Sequence, residues 1–118
     1  MRAIRVLNES RGTVLIERGG LARSWKERLV GLMGRKKLGP GDGLVIRPCE
    51  SIHTCWMRFP IDVIFTDVED RVVRLFPAVP PWRMKIGGRG ADTVIEVPPG
   101  TIAASGTERG DRIGIVEE

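Results

Sequence analysis

Residues 61–76, IDVIFTDVEDRVVRLF, place two β-branched and aromatic runs, 61–66 and 71–76, on either side of Asp67-Val68-Glu69-Asp70. The connection has the length and composition of a hairpin turn, so the two runs pair as antiparallel strands. Working outward, the same texture recurs. Strands are expected at 44–47, 51–57, 93–97 and 112–116, and Ile4, Val6, Val14 and Ile16 flank the turn formers Asn8-Glu9-Ser10-Arg11-Gly12 as a further hairpin. A Pro/Gly-rich segment, 77–90, carries Pro80-Pro81-Trp82-Arg83 and reads as a long loop, and 101–105 allows a single helical turn.

One segment changes period. Trp25, Leu29, Leu32 and Met33 fall at i, i+4, i+7 and i+8, one face of an α-helix over about 25–33. Ser24 with Glu27 forms a capping box at its start, and Gly34 suits the left-handed position past its end. About seven strands in hairpin order with one main helix define an α+β domain. Its small, strongly bent, mostly antiparallel sheet protects its edges by curling toward a barrel.

Composition bounds the function classes. The 118 residues form a single domain, 1–118, with 42% apolar and 29% charged residues, which excludes disorder and a disulfide scaffold. No apolar run approaches the ~20 residues of a membrane span, and the first twelve residues alternate instead of forming a signal-peptide core, so no membrane partner and a cytoplasmic location are expected. Fifteen Arg against four Lys, no Gln and one Asn fit a GC-rich genome or a thermophilic origin. The net charge of +4 is dispersed among acids, and Arg35-Lys36-Lys37 is the only local cluster. Nucleic acid is therefore the less favoured partner.

Reactive side chains crowd into residues 48–66, PCESIHTCWMRFPIDVIFT, which hold both cysteines and the only histidine. On a 51–57 strand, period two places Ser51, His53, Cys55 and Met57 on one face. Same-face neighbours point in parallel, which suits a His-activated thiol poorly. Cys49, His53 and Cys55 give three soft ligands where a structural zinc wants four. A disulfide between Cys49 and Cys55 needs a sharp bend of the strand. Asp62 stands among Phe59, Ile61, Val63 and Phe65, where a carboxylate must be paired or hydrogen-bonded: to turn N–H groups after Pro60, to Arg58, or to a ligand at a pocket mouth. Trp82 beside Arg83 is either a core plug or a lid.

Gly31-Leu32-Met33-Gly34-Arg35, Gly43-Leu44, Ser51-Ile52-His53-Thr54 with Trp56-Met57-Arg58, and Pro60-Ile61-Asp62-Val63 together resemble the bacterial and archaeal "domain of unknown function 192" family. Pro81-Trp82-Arg83, Glu96 with Pro98-Pro99-Gly100-Thr101, and Gly110-Asp111-Arg112 match closing segments of one branch. The resemblance spans about residues 5–116 and implies a small α+β fold with a bent sheet or barrel and one helix, but no established activity. Members often carry Phe or another residue at the position of Cys55, which weakens a required role for that thiol.

The reading that follows is a non-enzymatic ligand-binding or accessory domain with a cleft near 48–66. Its candidate contacts are Arg35, His53, Trp56, Arg58, Asp62, Trp82 and Arg83, with no cofactor and no metal. Arg58 and Arg35 would meet an anionic group of an otherwise unspecified small molecule, Trp82 an apolar or sugar-like face, and Asp62 would orient it. The alternatives are a hydrolase or thiol/metal enzyme using His53 with Cys49 or Asp62, a buried structural seam, and a nucleic-acid module.

Overall fold

The computed structural model describes residues 1–32 and 35–118. Seven strands form one curled sheet in the order β6-β5-β8-β3-β2-β1-β9. They are β1 (Arg2–Asn8), β2 (Thr13–Ala22), β3 (Leu44–Ile46), β5 (Ile61–Thr66), β6 (Val72–Val79), β8 (Thr93–Val97) and β9 (Ile113–Glu117). A two-stranded sheet pairs β4 (Ser51–Ile52) with β7 (Ile86–Gly87), and two short helices are α1 (Trp25–Val30) and α2 (Thr101–Ser105). The expected α+β class holds in the form of a mostly β protein. The expectation of one main helix does not, because α1 has six residues and α2 five.

α1 starts as expected: Glu27 N donates to Ser24 Oγ at 3.1 Å, and Glu27 Oε1 accepts from Ser24 N at 3.3 Å. It ends at Gly31, φ +51°, whose N–H reaches Glu27 O, rather than running to 33. Met33 and Gly34, with the side chains of Trp25 and Leu29, lie outside the described residues. Leu32 is buried.

All main-sheet ladders are antiparallel except β2 with β3, which run parallel and pair Gly20 with Leu44 through Ala22 with Ile46. Gly19 permits that junction, since a Cβ there would lie 2.6 Å from Gly43 O. The two edges meet at one end. Arg71 bridges Arg112, Val72 N donates to Asp111 O at 2.9 Å, and Ile113 N donates to Asp70 O at 2.8 Å. This contact satisfies edge groups that would otherwise stay open.

Side chains pin the closure. The buried Asn8 amide donates to Thr107 Oγ1 and Asp111 Oδ2, both at 3.0 Å, and Arg11 Nε donates to Asp111 Oδ2 at 3.0 Å. Hydrogen bonding from the Arg11 guanidinium holds the Asp111 carboxyl down at about 2.

The core has two parts that follow the pleat. All seven strands contribute to the inside of the curl, among them Ile4, Val6, Leu15, Val45, Ile64, Val72, Ile95 and Ile113. Leu44, Ile46, Val63, Phe65 and Val94 point the other way, into a second cluster with Leu32, Met57 and Ile86. The central strands β3, β5 and β8 are thus buried on both faces.

Three strand expectations are corrected. β4 ends at Ile52 instead of 57, because buried Thr54 turns the chain toward residues 80–83: its N–H donates to Arg83 O, its carbonyl accepts from Trp82 N, and its hydroxyl donates to Pro80 O and accepts from Arg83 N. β6 runs to Val79 instead of 76. It is an edge strand, where Pro77 removes no ladder donor, and Ala78 bulges at φ +49°. The expected 77–90 loop also contains β7. The 67–70 turn is as expected, with Asp67 Oδ1 accepting from Glu69 N and Arg71 N.

That bulge explains Asp62. The residue is 1% exposed and shares the Ile64 side of β5; Oδ1 accepts from Ala78 N at 2.8 Å and Oδ2 from Ile102 N at 2.9 Å. One carboxylate thus fastens both the β6 bulge and α2 to the sheet. Asp62→Ala leaves two donors unpaired, and we expect it to cost about 2–4 kcal/mol in urea unfolding, with Asp62→Asn losing less. Asp111 gives a second expectation, with the sign set by its lowered pKa. Its stabilisation is full above the unfolded value of 3.8 and is lost as pH falls toward about 2. Asp111→Asn should therefore be weaker than the parent at neutral pH, with the gap closing in acid titrations followed by circular dichroism.

Candidate functional site

A cleft of about 430 Å³ opens on the outer side of the sheet, between α1, β3, residues 48–53 and β8. That volume suits a small molecule. Its walls are largely aliphatic, from Val30, Leu32, Ile46, Ile52 and Met57, with Arg28, Cys49, Glu50, His53 and Glu96 as the titratable groups.

Glu96 is the most buried titratable group of the lining, only 3% exposed. Period two dictates its place: Ile95 and Val97 enter the inner core, so Val94 and Glu96 face outward, where Glu96 pairs across the ladders with Leu44 and Val63. Among the described residues no donor or cation meets its carboxyl, and burial raises its pKa from 4.5 to about 8. At neutral pH it is a neutral acid. Arg28 comes from α1. Its Nη1 donates to Pro48 O at 3.0 Å, while its Nε is buried with no partner among the described residues.

Cys49 is half-buried, with Sγ 3.1 Å from Ser51 O, and burial pushes its thiol up. It is an ordinary protonated thiol, not an activated nucleophile. Both cysteines are free. His53 is exposed at the rim, and its Nδ1 accepts from Cys55 N at 3.2 Å, which leaves Nε2 as the N–H position of the neutral ring. The row of Ser51, His53, Cys55 and Met57 on one strand face is therefore corrected, because the strand ends at Ile52 and Met57 N closes a turn back to Thr54 O. No three His, Cys, Asp or Glu side chains among the described residues converge as metal ligands.

Of the seven candidate ligand contacts named from the sequence, only His53 lines the cleft, joined there by Cys49 of the enzyme alternative. Asp62 lies on the opposite face of the sheet, its donors coming from Ala78 and Ile102 and not from the turn after Pro60 or from Arg58. Trp82 is no core plug. It is 58% exposed and meets Trp56, 64% exposed, edge to face with centroids 4.9 Å apart. Both have φ +69°, held by the Thr54 bonds described above. Arg58 and Arg83 are exposed on the same two segments, and Arg35 is exposed beyond α1. Residues 53–57 border both regions, with His53 and Met57 in the cleft and Trp56 on the aromatic face.

Glu96 and Arg28 were missed by the sequence reading. For Glu96 the signal was present: a lone acid inside the apolar strand Thr93–Val97 demands the same explanation as Asp62. Arg28 offers no such signal, since an Arg on a short helix is ordinarily solvated.

Fold and cleft together define a small curled-sheet domain with a ligand-sized opening on its outer face. The chain belongs to the domain of unknown function 192 family (DUF192, "Uncharacterized ACR"), whose model matches residues 6–115. It is 35% identical to a UPF0127 protein of Pyrococcus furiosus, over 92% of this chain and 95% of that one. A UPF0127 protein of Pyrococcus horikoshii is 37% identical over 92% and 96% of the two chains. Among solved structures, a protein of unknown function from Novosphingobium aromaticivorans is similar at a TM-score of 0.81 and 25% identity, covering 95% of this chain and 83% of its own. No helix among the described residues is long and apolar enough to cross a membrane.

The raised Glu96 pKa sets a sign for stability. The unfolded chain loses this proton near 4.5 and the folded chain near 8, so the folded state holds more protons between them and stability falls as pH rises through that window. The drop should be on the order of several kcal/mol, flattening above pH ~8. Glu96→Gln should remove this slope, which guanidinium midpoints measured from pH ~5 to ~9 will show.

Proposed function

We propose that this protein is a non-enzymatic binding domain that takes a small molecule in the cleft beneath α1. The carrying observation is that the buried Arg28 Nε–H, which has no partner among the described residues, and the buried Glu96 carboxyl both line an open, ligand-sized cleft. Buried polar groups are normally satisfied, so an unsatisfied one facing an opening is what a ligand completes. His53 stands at the rim. The Trp56–Trp82 face, with Arg58 and Arg83 beside it, extends the surface from the other end of residues 53–57 and offers a flat apolar contact flanked by cations. Arg35, next to α1, supplies a further cation for an anionic group.

The enzyme alternative is less well supported. His53 with Asp62 would need side chains from opposite faces of the sheet, and both Asp62 oxygens already accept backbone N–H groups. His53 with Cys49 would need a thiolate, whereas burial favours the thiol.

Backbone amide spectra recorded against a panel of small fragments carrying carboxylate, amine, amide and sugar groups test this proposal. Saturable shifts are expected at residues 28–32, 46–53 and 94–97. Shifts confined to other parts of the chain, with these amides silent, would remove the cleft reading.

A further inference from the structure

The cleft's chemistry narrows what it takes, an inference that rests on the ligand-binding reading above. Its lining holds two buried polar groups, Arg28 Nε–H on α1, which has no partner among the described residues, and the Glu96 carboxyl on β8. Both can donate. The guanidinium has only donors, and a neutral Glu96 has one O–H. Cys49, the remaining half-buried polar side chain there, is engaged with Ser51 O. Around these groups the walls are aliphatic, from α1, β3 and β4.

We infer that the cleft binds a monocarboxylate with a short apolar body, its carboxylate accepting from Arg28 Nε–H and from the Glu96 carboxyl while its chain lies on Leu32, Ile46 and Ile52. A carboxylate has acceptors for both donors and no proton that would compete for them. Sharing one proton between two carboxyl groups beside a guanidinium is a strong, charge-assisted arrangement. An alkylammonium fits worse: it would satisfy Glu96 only after ionisation, and would set a second cation beside Arg28. Among the described residues, the titratable groups that share the cleft lining with Glu96 are Arg28 from α1 and Cys49, Glu50 and His53 from the 48–53 segment, while its ladder partners Leu44 and Val63 are apolar.

Three probes of matched length test this on the full chain by amide shift titration: hexanoate, hexylamine and hexanol. Hexanoate should bind tightest in the cleft, and its affinity should fall at least about tenfold between pH ~7 and pH ~9.5 as Glu96 loses its proton. Glu96→Gln, which keeps a neutral donor, should retain hexanoate binding and lose that pH dependence. It leaves His53 and Cys49 in place, so it separates their titration from that of Glu96. Arg28→Gln should weaken hexanoate at least about tenfold while hexanol is unchanged, with the dispersed spectrum reporting the fold. Tighter binding of hexylamine, strengthening with pH, would overturn the carboxylate inference and leave the cleft reading standing, as would preferential binding of hexanol. Absence of cleft shifts with all three probes would overturn both.

Discussion

The alternation of side chains across β5 and β8 is the constraint on which the rest of this structure depends. Both strands are buried on both faces, so every residue must go either into the curl or into the outer cluster, and neither side is solvent. Each strand nevertheless carries one acid. Asp62 goes inward and Glu96 outward, and their surroundings decide opposite fates. Asp62 meets two backbone N–H groups that bulge and helix present to it, which gives each of its oxygens a donor in an apolar setting. Glu96 meets none that the described residues supply and holds its proton instead. One acid is therefore part of the fold's framework and the other belongs to an opening.

Closure of the sheet follows from a second use of polar groups. Edge strands β6 and β9 touch through a single bridge, too little to define the curl without help. Asn8, at the first hairpin, reaches about a hundred residues along the chain to Thr107 and Asp111, and Arg11 adds its ion pair with Asp111. This buried network ties the first turn to the segment between α2 and the last strand. It also gives the lone Asn of an amide-poor chain a structural task, as a fully buried residue whose side chain is satisfied on both ends. Replacing Asn8 would therefore leave Thr107, Asp111 and the Arg11 N–H without their shared partner and open the seam.

Much of the fold was legible in the residues because short-range signals governed it. The 67–70 turn, the first hairpin, the Thr93–Val97 strand and the Ser24 capping box each depend on neighbours within a few positions. The failures share one cause. Where α1 stops, where β4 breaks and how far β6 continues are decided by partners far along the chain: Thr54 by residues 80–83, and Ala78 by Asp62. The site was legible only in part for the same reason. Residues 48–66 do carry His53 and Cys49 into the cleft, but chemical density along the chain gathered onto one site groups that the sheet separates. Asp62 and His53 are nine positions apart and on opposite faces, whereas Glu96 and His53 are more than forty apart and share an opening. Applying the question asked of Asp62 to every acid in an apolar run would have found Glu96.

What the cleft can do follows from what the fold tolerates. A buried neutral carboxyl and an orphaned guanidinium N–H are each costly, and a small domain with a net stability of about 5–15 kcal/mol carries few such groups without return. A well-packed apolar residue at position 96 would suit the same face of β8, where Val94 already packs in the outer cluster. Asp62 and Asp111 illustrate the contrast, since removing either breaks contacts that hold the chain together. Glu96 holds nothing together that the described residues reveal. Its stability cost is greatest above pH ~8, where the empty cleft would have to hide a charge, so the groups that weaken the fold are also the ones a bound molecule would satisfy.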